Sequence, residues 1–248
     1  MATATYLLEA SDVCVTVPVP RGDDLEVVKD AGIQVEAGVS YSIQGKSGSG
    51  KTSLLSVLGL LNTSYKGSLR FRGDEVHSLP DRRLSLIRAR HIGFVFQTYS
   101  LVPHLNALDN VMLPALHARC SRSKAASRAR LALASVGLGS RAAARPSQLS
   151  GGEQQQVAIA RAIVNHPSVV MADEPTGALD TATAEDVMRI LMDSVTDEGI
   201  ALVMVTHDED IAALCDRHYT MTAGHLAETT PSDQNIGMLD GAVPRRAV

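Results

Sequence analysis

Long apolar runs, paired cysteines and blocks of like charge are all missing from this 248-residue chain. No apolar stretch approaches the roughly 18 residues that a membrane-spanning helix needs. The N-terminus, Met1-Ala2-Thr3-Ala4-Thr5, has neither the basic region nor the apolar core of a signal peptide. A soluble chain is expected, with any membrane role exercised through a partner. The three cysteines, Cys14, Cys120 and Cys215, are isolated and odd in number. They define no disulfide framework or zinc spacing, so a reducing cytosol is the expected setting. Net charge is −4 and no run of five or six like charges occurs. Nucleic-acid binding therefore lacks its usual electrostatic driver, and no nucleic-acid partner is expected. No internal repeat is found.

Hydrophobic residues make up 45% of the chain, enough for the core of one large domain or two small ones. Several short apolar runs end at residues with chemistry. Tyr41-Ser42-Ile43 leads into a glycine-rich loop, and Ile92-Gly93-Phe94-Val95-Phe96 leads into Gln97. Val169-Val170-Met171-Ala172 leads into Asp173, and Leu202-Val203-Met204-Val205 into Thr206-His207. Runs with so little alternation suit parallel strands buried on both faces. Ligands of such sheets sit beyond the carboxyl ends of the strands, so these four loops should meet in one crevice.

Other stretches differ in character. Val13, Val15 and Val17 alternate with more polar residues before Ser40, as in antiparallel strands. Lys124–Ala134 has helical spacing and is closed by Gly137 and Gly139, so residues of about 98–165 read as a helical insertion. After Leu226 the chain turns polar, which predicts a loosely attached tail over 227–248.

The loop Gly45-Lys46-Ser47-Gly48-Ser49-Gly50-Lys51-Thr52 is a complete phosphate-binding motif. Its glycines let backbone N–H groups surround an anion, and the following helix, from Ser53 on, adds a positive N-terminal end. Lys51 is placed for the β- and γ-phosphates of a nucleoside triphosphate, and the Thr52 hydroxyl for Mg²⁺. Asp173 closes a buried strand as a second metal contact. Its neighbour Glu174, facing the other way by strand alternation, is the candidate base for an attacking water. His207 ends another such run; it either caps a helix beside Asp208-Glu209-Asp210 or contacts the γ-phosphate. Ser150-Gly151-Gly152-Glu153 is at once a capping box and an anion-binding helix start. It lies on the helical insertion, away from the glycine loop, which favours the nucleotide of a second copy.

With these residues in order, the chain resembles the ATP-binding subunit of an ABC transporter from about Leu7 to Ala227. Within that family, His91–Gln97, Pro146–Gln155 and Asp173–Gly177 are most similar to the lipoprotein-release, macrolide-exporter and FtsE group. The resemblance implies an α/β fold with a RecA-like phosphate-loop core, an N-terminal antiparallel β subdomain and an inserted α-helical subdomain, over residues 1–226. It implies a homodimer that sandwiches two ATP, each held by one copy's glycine loop and the other's Ser150–Glu153. It further implies that Gln97 joins Thr52 and Asp173 around Mg²⁺, that Asp180 of Ala178-Leu179-Asp180 contacts nucleotide, and that Glu174 and His207 serve hydrolysis with Lys51. An integral-membrane permease would dock near Gln97–Pro103, placing the chain peripherally on the cytoplasmic face of the cell membrane. Cargo in that group is amphiphilic: drugs, peptides, lipoproteins or haem.

Two residues depart from the family pattern. No aromatic lies between Tyr6 and Tyr41 to stack on adenine, the expected position being Val15 or Val17. Gln156 stands where an Arg is usual. An FtsE-like regulator that signals through its membrane partner without transport is the alternative function. A soluble ABC ATPase of DNA repair or translation fits poorly, because the spacing between glycine loop and Ser150 leaves no room for a coiled-coil arm.

Overall fold

The computed structural model describes residues 6–19, 23–196 and 198–229. The elements in chain order are β1 (Leu8–Val17), β2 (Leu25–Val35), β3 (Ser40–Gln44), α1 (Lys51–Leu58), β4 (Lys66–Phe71), β5 (Asp74–Glu75) and α2 (Asp81–His91). There follow β6 (Ile92–Phe96), α3 (Ala107–His117), α4 (Arg122–Ser135), α5 (Gly151–Ile163), β7 (Val169–Asp173) and α6 (Thr181–Thr196). The chain ends with β8 (Ala201–Val205), α7 (Glu209–Ala212), β9 (Arg217–Thr222) and β10 (His225–Thr229).

The four apolar runs form β3, β8, β7 and the edge strand β6 of a six-stranded sheet of order β10-β9-β3-β8-β7-β6. All its pairings are parallel except β9 with β10. Burial of both faces explains the missing alternation. In β7, Val169 and Met171 join one apolar cluster and Val170 and Ala172 the other. β8 divides in the same way, with Val203 and Val205 on one side and Leu202 and Met204 on the other. Each such fully buried side chain contributes roughly 1.5–3 kcal/mol of transfer free energy.

The first cluster lies under a four-stranded antiparallel sheet of order β2-β1-β4-β5 and takes in Leu54, Leu55, Val57 and Leu58 of α1. Val13 and Val15 point into it, while Val17 is exposed. The second cluster holds Val111 of α3, Leu133 of α4, Ile159 of α5 and Leu191 of α6 together with Val170 and Leu202 of the sheet. The helices between β6 and β7 therefore share one core with the sheet. α4 starts where the Ser121 side chain accepts from Lys124 N–H and stops short of Gly137, whose φ is 80°. No helix among the described residues is long and apolar enough to cross a membrane.

One boundary needs correction. A tail was expected from residue 227, but β10 continues to Thr229, whose partner in β9 is His218. Backbone pairing along a sheet edge tolerates the polar side chains of Glu228 and Thr229, so composition alone misplaced the end. Residues 230–248 lie outside the described residues.

α5 comes down closely on β6. A Cβ added at Gly93 would fall 2.5 Å from the Ala162 carbonyl oxygen, and backbone there has no room to yield. Gly93→Ala is expected to destabilise the protein by about 1–3 kcal/mol through overpacking. Urea unfolding checks this, and an unchanged midpoint would contradict the close α5–β6 approach.

Candidate functional site

Four parallel strands deliver four loops to one place. β3 leads to the glycine loop, β6 to Gln97, β7 to Asp173 and Glu174, and β8 to His207. Together these line a crevice of about 620 Å³, with Ser47 to Ser53 along one wall and Val27 of β2 beside them.

Gly50 begins α1 with a φ of 105°. A Cβ there would lie 2.1 Å from the Val27 carbonyl oxygen, so only glycine lets the loop lie against β2. Lys51 is buried, and its ammonium donates to the carbonyls of Gly45 at 2.6 Å and Lys46 at 3.1 Å. Gly45 and Lys46 thus contribute carbonyls behind the crevice, while Ser47, Gly48, Ser49, Gly50, Thr52 and Ser53 line it with Lys51. The Ser49 hydroxyl is buried with no partner among the described residues. A buried cation satisfied only by its own loop, an unpaired hydroxyl and a helix N-terminus together make a site whose chemistry matches a phosphate.

Across the crevice, Asp173 Oδ1 accepts from the Thr52 hydroxyl at 3.2 Å. Burial pushes the Asp173 carboxyl above its ordinary range; the Glu174 charge adds to this, and the Thr52 hydroxyl and Lys51 oppose it. A hydroxyl and a carboxylate are hard oxygen ligands of the kind Mg²⁺ takes. No group of three or more His, Cys, Asp or Glu could hold a metal among the described residues. The donor set therefore suits an ion that takes its remaining ligands from phosphates and water. Gln97 lines the crevice with its amide packed over Gly177, where an added Cβ would fall 2.8 Å from Nε2.

Glu174 does not owe its direction to strand alternation. β7 ends at Asp173, and Glu174 adopts φ 45°, a left-handed conformation costing roughly 1–2 kcal/mol outside glycine. Its N–H donates to the Val205 carbonyl at 2.9 Å, which fixes the turn against β8. The carboxylate then faces His207: Oε2 is 2.9 Å from Nδ1 and accepts from the His207 N–H at 3.3 Å. A carboxylate accepts, so the hydrogen of the first bond sits on Nδ1. The helix cap is made by the next residue, Asp208, which accepts from the N–H groups of Asp210 and Ile211. His207 is thereby placed on the crevice and not on the cap.

Ser150, Gly151, Gly152, Glu153 and Asp180 are not part of this crevice. At the start of α5, the Ser150 hydroxyl accepts from Glu153 N–H at 3.2 Å and Glu153 accepts from Ser150 N–H at 2.8 Å. That backbone bond, with Arg141 alongside, holds the Glu153 carboxyl below its usual range. Asp180 accepts from the Thr183 N–H at 3.1 Å and the Thr183 hydroxyl at 2.8 Å at the head of α6, its carboxyl lowered chiefly by that hydroxyl. One chain thus carries two separate regions, the crevice and the capped start of α5 with Asp180.

The link between the two regions was not foreseen. Gln155, fully buried on α5, donates its amide to the Pro175 carbonyl, just beyond Glu174, and lies 3.5 Å from the Phe96 carbonyl. Arg161, two turns on, donates to the carbonyls of Ser100 at 2.6 Å and Tyr99 at 2.8 Å, both in left-handed conformation. Buried Asn110 fastens the rest of that loop by accepting from Val102 N–H and donating to Val102, Leu105 and Asn106 carbonyls. Val27 is the other surprise. Val15, an expected base contact, is buried in the core, and Val27 is the aliphatic side chain that borders the crevice.

Residues 28–177 match the family model described as ABC transporter. A "Macrolide export ATP-binding/permease protein MacB" of Rhodopirellula baltica is 45% identical over 207 residues, covering 83% of this chain and 30% of that protein. A protein of the same name from Burkholderia thailandensis is 41% identical over 235 residues, 92% of this chain and 36% of that one. The chain thus spans about a third of the length of these curated relatives. Among solved structures, the "ATP-binding cassette MJ0796 bound to ADP and Pi", a dimer in a post-hydrolysis state, superposes with a TM-score of 0.82 at 35% identity. That match covers 90% of this chain and 98% of the other.

The raised Asp173 carboxyl sets a stability prediction. When the folded-state pKa lies above the unfolded one, the ionised group costs stability above the folded pKa, and the cost vanishes below the unfolded pKa. Asp173→Asn should therefore raise the melting temperature of the nucleotide-free protein at pH 7, by roughly 1–3 °C. The gain should fade as pH falls through the raised pKa towards the ordinary carboxylate range. Melting curves against pH decide it; a variant that melts lower at pH 7 would contradict the assigned burial penalty.

Proposed function

The chain belongs to the ABC transporter family, and from that premise we propose that it is the ATP-binding and hydrolysing motor of a membrane export complex. One observation carries the reading. The crevice has a phosphate-binding wall and a Glu174–His207 pair but lacks the Ser150 helix start, which is tied to it from behind through Gln155. Two antiparallel copies complete both crevices, each offering its Ser150 end to the other's nucleotide. The dimeric cassettes among the structural relatives support this arrangement.

In the proposed cycle, ATP phosphates replace the Gly45 and Lys46 carbonyls as partners of Lys51, and the Ser49 hydroxyl gains an acceptor. Thr52, Asp173 and Gln97 would hold Mg²⁺, which when bound neutralises charge on the phosphate oxygens. Glu174 takes a proton from the attacking water. His207 holds that carboxylate through Nδ1 and leaves its Nε2 for the γ-phosphate side. Val27 supplies an aliphatic contact in place of the missing aromatic. Asp180, on the rim of α6, reaches the second copy.

The membrane partner contacts a groove of about 480 Å³ between α2, β6 and α3, where Phe94, Phe96, Leu113 and Pro114 give an apolar floor. Ser100 and Arg161 border it, so the expected docking segment Gln97–Pro103 meets the groove at its middle. Closure of the dimer would press on Gly151, where an added Cβ would lie 2.9 Å from the Tyr99 hydroxyl. Arg161 carries the movement on to the groove. The partner is an integral-membrane permease that holds the chain at the cytoplasmic face, and the cargo is amphiphilic, in keeping with the macrolide-export names of the relatives.

Glu174→Gln should lower turnover at least about 100-fold while ATP binding persists, and the ATP-loaded variant should sediment as a dimer. Rapid hydrolysis by that variant would remove Glu174 as the base. Ser150→Arg should keep nucleotide binding by the single copy and lose the ATP-dependent dimer. Dimerisation equal to wild type would contradict the shared site.

A further inference from the structure

A second groove adjoins the nucleotide crevice and shares Glu174 and His207 with it. Its volume is about 650 Å³, within the range of small-molecule pockets. Ala184, Met188 and Met192 of α6 fall at i, i+4 and i+8 and so present one helix face to it. Leu179 from the turn before α6, and Ile211 and Leu214 from α7 and its exit, complete an apolar floor. Leu214 is 53% exposed. The rim is acidic. Glu185, Asp193, Asp208 and Asp210 border the groove, and none has a cationic side chain within 4.0 Å among the described residues. Arg189 is the one Arg or Lys of the lining among the described residues, and Asp186 already holds it at 2.6 Å. Thr176, only 7% exposed, also lines the groove, and its hydroxyl makes no hydrogen bond among the described residues.

We propose that this groove binds a small amphiphilic cation, an ammonium group on an apolar body, and that the bound cation slows hydrolysis. Floor and rim define that chemistry together. An apolar body covers Leu214 and the two methionines, whose unbranched side chains adapt to its shape. The uncompensated carboxylates attract a positive charge and repel an anion. The Thr176 hydroxyl offers a further acceptor to an N–H donor. The consequence for turnover rests on Glu174 being the base; the binding does not. Glu174 Oε2 is 2.9 Å from His207 Nδ1, and both residues stand on the wall common to groove and crevice. A cation in the groove competes with His207 for that carboxylate and draws it from the attacking water. The phosphate-binding wall from Ser47 to Ser53 does not border the groove, so ATP stays bound.

Methyl NMR of the nucleotide-free chain tests the site, with decyltrimethylammonium below its micelle concentration as the probe. The Met188 and Met192 methyl signals should shift and saturate, while that of Met112, buried in α3, stays in place. Tetramethylammonium lacks the apolar body and decyl sulfate reverses the charge; each should bind at least about 10-fold more weakly. The double reversal Glu185→Lys, Asp193→Lys should weaken the cation about 10-fold, with melting temperature and uninhibited turnover retained. At saturation the cation should lower kcat about 10-fold and leave KM for ATP unchanged. Shifts spread over every methionine, equal binding of decyl sulfate, or unchanged affinity in the double variant would each overturn the site. Binding of a lysine-rich peptide with none of the amine would overturn it too, assigning the groove to a protein partner. Binding with turnover unchanged would overturn the effect on hydrolysis. Failure of the base assignment would appear separately, as rapid hydrolysis by Glu174→Gln with the methionine shifts intact.

Discussion

A single buried amide holds the candidate site together. Gln155 sits wholly inside the protein on α5 and donates to the Pro175 carbonyl, in the turn that carries Glu174. In a low-dielectric interior, losing such a bond strands a polar group and costs about 1–3 kcal/mol. The bond therefore sets α5 in one position relative to β7. Arg161 repeats the device at the other end of the helix, with two backbone carbonyls of the loop after Gln97. α5 in this way has a capped tip at Ser150, a hold on the acidic turn at its middle and a hold on the groove loop at its tail.

The crevice itself is held in an electrostatically unfinished state. Lys51 is satisfied by the carbonyls of its own loop, Asp173 carries a burial penalty that a hydroxyl only partly offsets, and Ser49 has a hydroxyl without a partner. Glu174 is kept in a left-handed turn beside His207. A phosphate chain with its cation relieves the first three together, since it brings acceptors for Lys51 and Ser49 and positive charge for Asp173. The fold thus spends part of its stability on a site that becomes favourable when occupied, as expected where strain and uncompensated charge are concentrated at function.

Much of this was legible in the sequence, for a physical reason. Strands buried on both faces must be continuously apolar, so the four runs ending at Gln44, Phe96, Asp173 and Val205 announced the parallel sheet and its loops at once. The glycine loop and the Ser150 capping box are local in sequence and came through intact. What was missed depends on distant pairings. Val27 borders the crevice only because β2 crosses behind Gly50, and Val15, paired with Val28 on the neighbouring strand β1, turns inward. The link from Gln155 to Pro175 and from Arg161 to Tyr99 spans 20 and 62 positions. The left-handed turn at Glu174 left no trace, since nothing in its residue type favours it. The polar end of β10 passed for a tail because an edge strand needs no apolar side chains.

The proposed function divides labour between two identical chains: the crevice lacks the Ser150 helix end, and that end does not border the phosphate-loop wall of its own chain. The most direct measurement is the ATPase rate per subunit as protein concentration is varied across the monomer–dimer transition, with sedimentation followed in the same samples. The account predicts that specific activity rises with the dimer fraction and approaches zero where the chain is wholly monomeric. Full specific activity at concentrations where only monomer sediments would contradict it.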